Sequence, residues 1–159
     1  MTAIEAIRKQ IIQDTGLLVI PANTGKAVPS LPYAVMNVTS PYIAERGHPN
    51  ETTYEDESGL YLKYDEQYRS TLSFTIFAAD NQTTMDKAKA IRHWFLFFGQ
   101  EFIQEQNVAV VNVGNTEDRT TFLVDSYEYK HGFDVQLRLS DELIKQIDWI
   151  ETVELEMEE

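Results

Sequence analysis

Three histidines, no cysteine and a surplus of carboxylates set the chemistry open to this 159-residue chain. Without cysteine there is no thiolate nucleophile, thiolate zinc site or disulfide. A histidine metal site needs ligands at short, regular spacing, as in HxH or HExxH. None of His48, His93 and His131 has such a neighbour, although His48 lies near Glu45 and Asp56, a set able to hold an adventitious ion. Hydrolysis by a triad needs a nucleophile, a base and an orienting acid. There is no GxSxG sequence, and the nearest approach to a base with its carboxylate is His131 beside Asp134 at a turn. Paired carboxylates recur at Glu55-Asp56-Glu57, Glu117-Asp118 and Asp141-Glu142. Acid–base work requires two carboxyls in divergent environments, and the sequence sets no pair apart. Asn23-Thr24-Gly25-Lys26 is similar to the end of a phosphate loop, but it lacks the upstream glycines and reads as a turn. The expectation is no catalytic residue, no cofactor and no resident metal.

Charge narrows the partners. The formal net charge is −13. Nucleic acid and anionic membranes would both be repelled by such a chain, and it has neither a basic helix nor an aromatic RNA-binding set. Solubility is one reading of the acidity; a surface that DNA slides past without sticking is the other. No window approaches the roughly 18 apolar residues of a membrane span. The first 13 residues are amphipathic and carry Glu5, unlike a signal peptide. The absence of cysteine suits a reducing cytoplasm.

Any functional residue must be positioned by a folded core, and the composition supports one: 43% of residues are apolar, with 8 Phe, 8 Tyr and 2 Trp. Ile4, Ile7, Ile11 and Ile12 recur at helical spacing, with Thr2 and Glu5 placed as a capping box and Gly16 as a stop. Residues 17–20 read as a short strand, and residues 33–39 as a strand that Pro41 ends. Residues 44–59 are polar and acidic, a long loop or the tip of a projecting hairpin. Residues 60–79 form one long strand or two, with Leu72, Phe74 and Ile76 on one face and Arg69, Thr71, Ser73 and Thr75 on the other. The strongest helix comes next. Thr84, Ala88, Ile91, Phe95, Phe98 and Phe102 line one face of it, Trp94 and Phe97 widen the stripe, and Gly99 kinks or ends it.

Residues 108–113 are a strand. Residues 120–129 and 133–139 then read as strands joined by a tight hairpin at Lys130-His131-Gly132, with one bent, bulged strand as the alternative. Phe133, Val135 and Leu137 face the core. Residues 141–146 read as a helical turn and residues 149–157 as a last strand able to pair at an edge. Helix, strands, helix, strands indicate an α+β fold: a mainly antiparallel sheet packed by the first helix and the aromatic one, in a single domain over residues 1–159. Most of the crowded aromatics read as core. An amphipathic helix needs only one stripe, however, so apolar residues spread this far round imply a second covered face. Arg46, His48 and Tyr54 in the polar stretch, Trp94 and Phe97 on the helix, and Trp149 in the last strand are the candidate contacts with another subunit or partner.

The elements also resemble a family in their order. Leu31-Pro32-Tyr33-Ala34-Val35 opens a strand, and the strand through residues 72–79 leads into the helix from Thr83. Gly132-Phe133-Asp134-Val135 precedes an alternating strand, and Ile150-Glu151-Thr152-Val153 closes the chain. This succession resembles the neck or tail terminator proteins of long-tailed bacteriophages over most of the chain; residues 44–60 fall outside the likeness. The residues taken without the resemblance also fit a small acidic cytoplasmic binding or regulatory domain acting as a monomer or dimer; the resemblance implies a non-enzymatic virion protein made in the host bacterial cytoplasm. It implies a ring, six-membered in that family, that caps the tail tube, stops its polymerisation and joins tail to head. The partners it implies are further copies of the chain, the tail tube protein and a head-completion or connector protein. DNA would pass through an acidic channel without specific binding.

Overall fold

The computed structural model describes residues 1–148. Helix α1 (Ala3–Thr15) begins as its sequence dictates: Thr2 Oγ1 accepts the Glu5 N–H at 3.2 Å. Glu5 does not complete the capping box but pairs with Arg8 one turn on. Gly16, at φ 73°, ends the helix by donating its N–H to the Ile12 carbonyl at 2.9 Å. Strands β1 (Leu18–Pro21), β2 (Tyr33–Ala44), β3 (Asn50–Asp56) and β4 (Gly59–Ala78) come next. Helix α2 (Asn81–His93) runs into a π-helical turn (Trp94–Phe98) and the short α3 (Gln100–Glu105). The described part closes with β5 (Ala109–Val113), β6 (Glu117–Asp118), β7 (Thr121–Leu123) and β8 (Ser126–Ile147).

One mixed sheet in the order β1-β2-β4-β8-β5 organises the molecule; β1 pairs with β2 in parallel and the other pairings are antiparallel. This is the α+β, mainly antiparallel architecture the pattern predicts. Its spine is the β4–β8 ladder, which runs from Leu60 opposite Ile147 to Ala78 opposite Tyr129 without a register shift. Leu72, Phe74 and Ile76 of β4 and Phe133, Val135 and Leu137 of β8 are buried beneath α1 and α2, as the alternation predicts. Phe74, Phe95 and Phe133 pack ring to ring, with centroids 5.3 to 6.3 Å apart. Each fully buried side chain of this size contributes about 1.5–3 kcal/mol.

The structure corrects three expectations. Pro41 does not end β2. The strand passes through it by shifting register between Val38 and Ser40 and again between Ser40 and Ile43. Beyond its short pairing with β1 the strand has a free edge there among the described residues, where a missing N–H costs little. Second, Lys130-His131-Gly132 is not a hairpin. All three residues lie inside β8, and the turn falls at Val124-Asp125, where Leu123 faces Ser126. Gly132 serves close approach instead: a β-carbon there would lie 2.3 Å from the Phe74 carbonyl oxygen and 2.7 Å from Arg119 Nη1. Third, residues 141–146 are not a helical turn but the continuation of β8. The predicted last strand, with Trp149, lies outside the described residues.

Candidate assembly surfaces

The long ladder outruns the helices. No residue of β4 before Ser70, and none of β8 after Leu139, is buried. With β3 paired along β4 from Asn50 opposite Asp65 to Asp56 opposite Gly59, these outer halves form a three-stranded arm. Ten residues of strand span about 33 Å. The polar stretch of the sequence is therefore the hairpin of the two readings it offers. At its tip Asp56 accepts the Ser58 N–H at 2.8 Å and the Ser58 hydroxyl at 2.6 Å, which hold its carboxyl below the usual range.

At the arm's root Tyr42 stacks on Tyr68 with centroids 4.1 Å apart, and its hydroxyl lies 3.0 Å from Glu66 and 3.3 Å from Asp141. Desolvation and those two carboxylates keep the hydroxyl protonated by raising its pKa. Along the helix-side face the alternation brings Leu60, Leu62, Leu143 and Ile147 together, with Lys145 opposite Leu62 and Glu66 opposite Asp141 nearer the root. Leu143 is 56% exposed.

The second feature is the π turn. The Gly99 N–H donates to the Trp94 carbonyl at 2.7 Å, a bond five residues long. Such a turn inserts one residue into the helical repeat and shifts the phase of the residues beyond it. Trp94 and Phe95 point inward, and the Trp94 indole N–H donates to Asp14 at 2.8 Å. Phe97 and Phe98 then point outward, 74% and 70% exposed, packed edge to face against each other. Lys89 and His93 precede Phe97 at four-residue intervals on the exposed side of α2.

A third apolar patch crowns the opposite end of the ladder. Phe122 and Tyr127 face each other across the β7–β8 turn, and Val124 at its apex is 92% exposed.

The sheet face away from the helices is polar and internally paired. Arg119 Nη1 donates to Ser73 and Thr75 at 2.8 Å each, and its other terminal nitrogen pairs with Glu117 and Asp134. Glu45 accepts from Arg69 at 2.5 Å and from Arg138 at 3.0 Å. Those hydrogen bonds, Arg69's first, hold its carboxyl below the usual range. The sequence-level dyad of His131 and Asp134 does not form. His131 Nδ1 lies 2.9 Å from Thr84 Oγ1 on the helix side, while Asp134 binds Arg119 on the other. Glu45 is committed to arginines rather than to an ion with His48. Among the described residues, no three His, Cys, Asp or Glu side chains gather in a metal-binding group.

A family model for phage neck terminator proteins matches residues 2–159. The chain belongs to the phage neck terminator proteins. The match takes in residues 44–60, the stretch that the resemblance left out. No relative among the curated proteins matches. The family is one of structural neck proteins, not an enzyme class, and its members are virion components that interact with others. No described helix is long and apolar enough to cross a membrane.

In this neck terminator chain the six candidate contact residues part company. Arg46 and His48 are exposed in the β2–β3 connection, and Tyr54 stacks on Tyr61 in the arm with centroids 5.3 Å apart. Phe97 is on the surface, whereas Trp94 is 1% exposed and belongs to the core. Trp149 lies outside the described residues. Sequence reasoning missed Phe98, assigned to the buried stripe, and the apolar turn around Val124. The signal for that turn was present: Phe122-Leu123-Val124 runs directly into Asp125-Ser126, a pair of turn-favouring residues.

Proposed function

We propose that this neck terminator protein acts as a single domain and closes into a ring, six-membered as its family likeness implies. The ring caps the finished tail tube, stops its polymerisation and joins the tail to the head. Its partners are other copies of the chain, the tube protein and a head-completion or connector protein. The observation that carries this reading is the family match over residues 2–159. The surface supports it. The arm and the Phe97–Phe98 turn are unlike apolar surfaces on different elements, and pairing unlike surfaces propagates from copy to copy until the rotation closes a circle. The charge of −13 supports a channel that DNA crosses without adhering, because like charges repel within a Debye length of about 8–10 Å. The protein is made in the host bacterial cytoplasm and works in the virion.

Light scattering over a concentration series, followed by electron microscopy of the assembled material and of virions, tests the ring. The expected result is a closed ring, free or seated on the tail end. A stable two-fold dimer at every concentration, burying the helix face, would overturn it.

A further inference from the structure

We propose that the β3–β4–β8 arm of one copy lies across the α2 and π-turn surface of the next. Its Leu60, Leu62 and Leu143 cover Phe97 and Phe98, and its acidic margin meets Lys89 and His93. The inference rests on the ring reading and names the contact that makes the ring.

Three observations select a second copy as the occupant. First, the arm cannot cover its own apolar face: along β4 and β8 burial stops at Ser70 and Leu139, where the helices end their cover. Leu143 is left 56% exposed on a face that continues the core side of the sheet. Second, the π turn presents Phe97 and Phe98 outward as a pair packed edge to face. Gly99 lies so close beneath Trp94 that a β-carbon there would come within 2.3 Å of the indole. The turn is thereby fixed, and burying both rings is worth more than leaving them in water.

Third, the charges are complementary. Residues 50–66 and 141–147 carry eight carboxylates against two lysines. Residues 81–98 carry Lys87, Lys89 and Arg92 against Asp86 alone, with His93 beside them. In a chain of net charge −13 this helix is a local excess of positive charge, set next to the exposed rings. Apolar contact ringed by opposite charges gives both affinity and register. Arg92 is already engaged, its Nε donating to the Gly114 carbonyl at 2.8 Å, so Lys89 is the cation facing outward, with the His93 imidazole one turn on as a further hydrogen-bonding group. Because the two surfaces sit on different elements of one chain, each copy gives an arm and receives one. That is the head-to-tail geometry a ring requires.

The chain has no cysteine, so an introduced one is the sole thiol. Leu143→Cys and Phe97→Cys are made separately, both at exposed positions, and mixed under a short bis-maleimide cross-linker. The protein is used at concentrations where scattering shows assembly, or within virions if the isolated chain stays monomeric. The expected result is a covalent dimer in the mixture and none with either variant alone. The double variant is expected to give a ladder that stops at the ring. Raising salt from about 0.1 M to 1 M shortens the Debye length from about 10 to 3 Å and lowers the yield of free assembly. A Phe97→Cys homodimer as the main product would overturn the proposal, since it reports a two-fold contact. Rings that form without the mixed cross-link would overturn the arm contact and leave the ring standing. Failure of any ring to form, free or in virions, would overturn both.

Discussion

Replacing Gly99 with Ala places a β-carbon 2.3 to 2.5 Å from three carbons of the Trp94 indole. The glycine's φ is −97°, so its backbone is open to any residue; only the space is missing. The indole has little room to retreat. It is 1% exposed, meets Phe95 edge to face with centroids 5.1 Å apart, and donates to Asp14 at 2.8 Å. Overpacking of this kind costs about 1–3 kcal/mol. A displaced indole also loses its hydrogen bond to a carboxylate, worth about 1.5–3 kcal/mol. Alanine's helical preference over glycine returns about 1 kcal/mol. The expected net loss is about 3 kcal/mol. At about 2–4 °C per kcal/mol for a chain of this size, Tm falls by roughly 6–12 °C. Thermal and urea unfolding followed by circular dichroism measure it. The double variant Gly99→Ala with Trp94→Phe removes the larger ring, so its loss is expected to be smaller than the sum of the two single losses. A Gly99→Ala protein as stable as the wild type would refute the reasoning and show that the turn does not depend on the indole lying against Gly99.

Phe133→Ala removes a fully buried ring from the Phe74–Phe95 cluster and is expected to cost about 3–5 kcal/mol by urea titration; a wild-type midpoint would show that the strand faces outward. Gly132→Ala is expected to destabilise through the Phe74 carbonyl and Arg119, and Arg119→Ala in the same chain relieves only the second of these contacts, so partial rescue is the outcome to look for. Glu45 and Glu5 have carboxyl pKa values lowered by hydrogen bonds from arginine, so their stabilising effect is present above the ordinary carboxylate pKa and lost as pH falls through the acid range to the lowered folded values. Urea titrations across that range are expected to show a shallower acid loss for Glu45→Gln than for the wild type. Fluorescence anisotropy is expected to find no binding to duplex DNA tighter than micromolar at physiological salt; salt-dependent binding above that strength would contradict the charge argument.

The strands and helices that build the core were legible because their side chains alternate or repeat with the right period. Leu72, Phe74 and Ile76, and Phe133, Val135 and Leu137, announced their buried face directly. What periodicity does not reveal is where a strand stops being covered. Residues 141–146 read as a helical turn because their apolar residues, Leu143 and Ile144, are adjacent and fall on opposite faces of the arm, so no alternation survives. Gly132 read as a turn because glycine permits one; the reason for it is the Phe74 carbonyl of the neighbouring strand, with Arg119 brought in from thirteen residues upstream. The π turn was similarly hidden. Trp94, Phe95, Phe97 and Phe98 look like one broad stripe at 100° per residue, and only the Gly99-to-Trp94 hydrogen bond divides them into a buried pair and an exposed pair. Excess apolar surface put both Phe97 and Trp94 among the candidate contacts; Phe97 is exposed, whereas the core has absorbed Trp94.

The same ladder serves as body and arm, and this ties assembly to the core. Strand residues alternate with a period of two, so a slip of one residue would turn every side chain of β4 to the other face. Nothing in the arm pins its register as firmly as the buried pairing of Phe74 with Phe133 and Leu72 with Val135 does in the body. Because the β4–β8 ladder has no bulge between those pairs and the tip, their register is transmitted intact to Leu60 opposite Ile147. The core therefore decides which face of the arm carries Leu60, Leu62 and Leu143. Inserting one residue at Gln67 together with one at its partner Ser140, outside the core and remote from Phe97, keeps the strands paired and is expected to leave the body folded while turning Leu60, Leu62 and Leu143 away from the helix side. Such a variant should melt near the wild type yet fail to assemble. Normal assembly by the doubly inserted arm would show that the arm's face is not what neighbouring copies read.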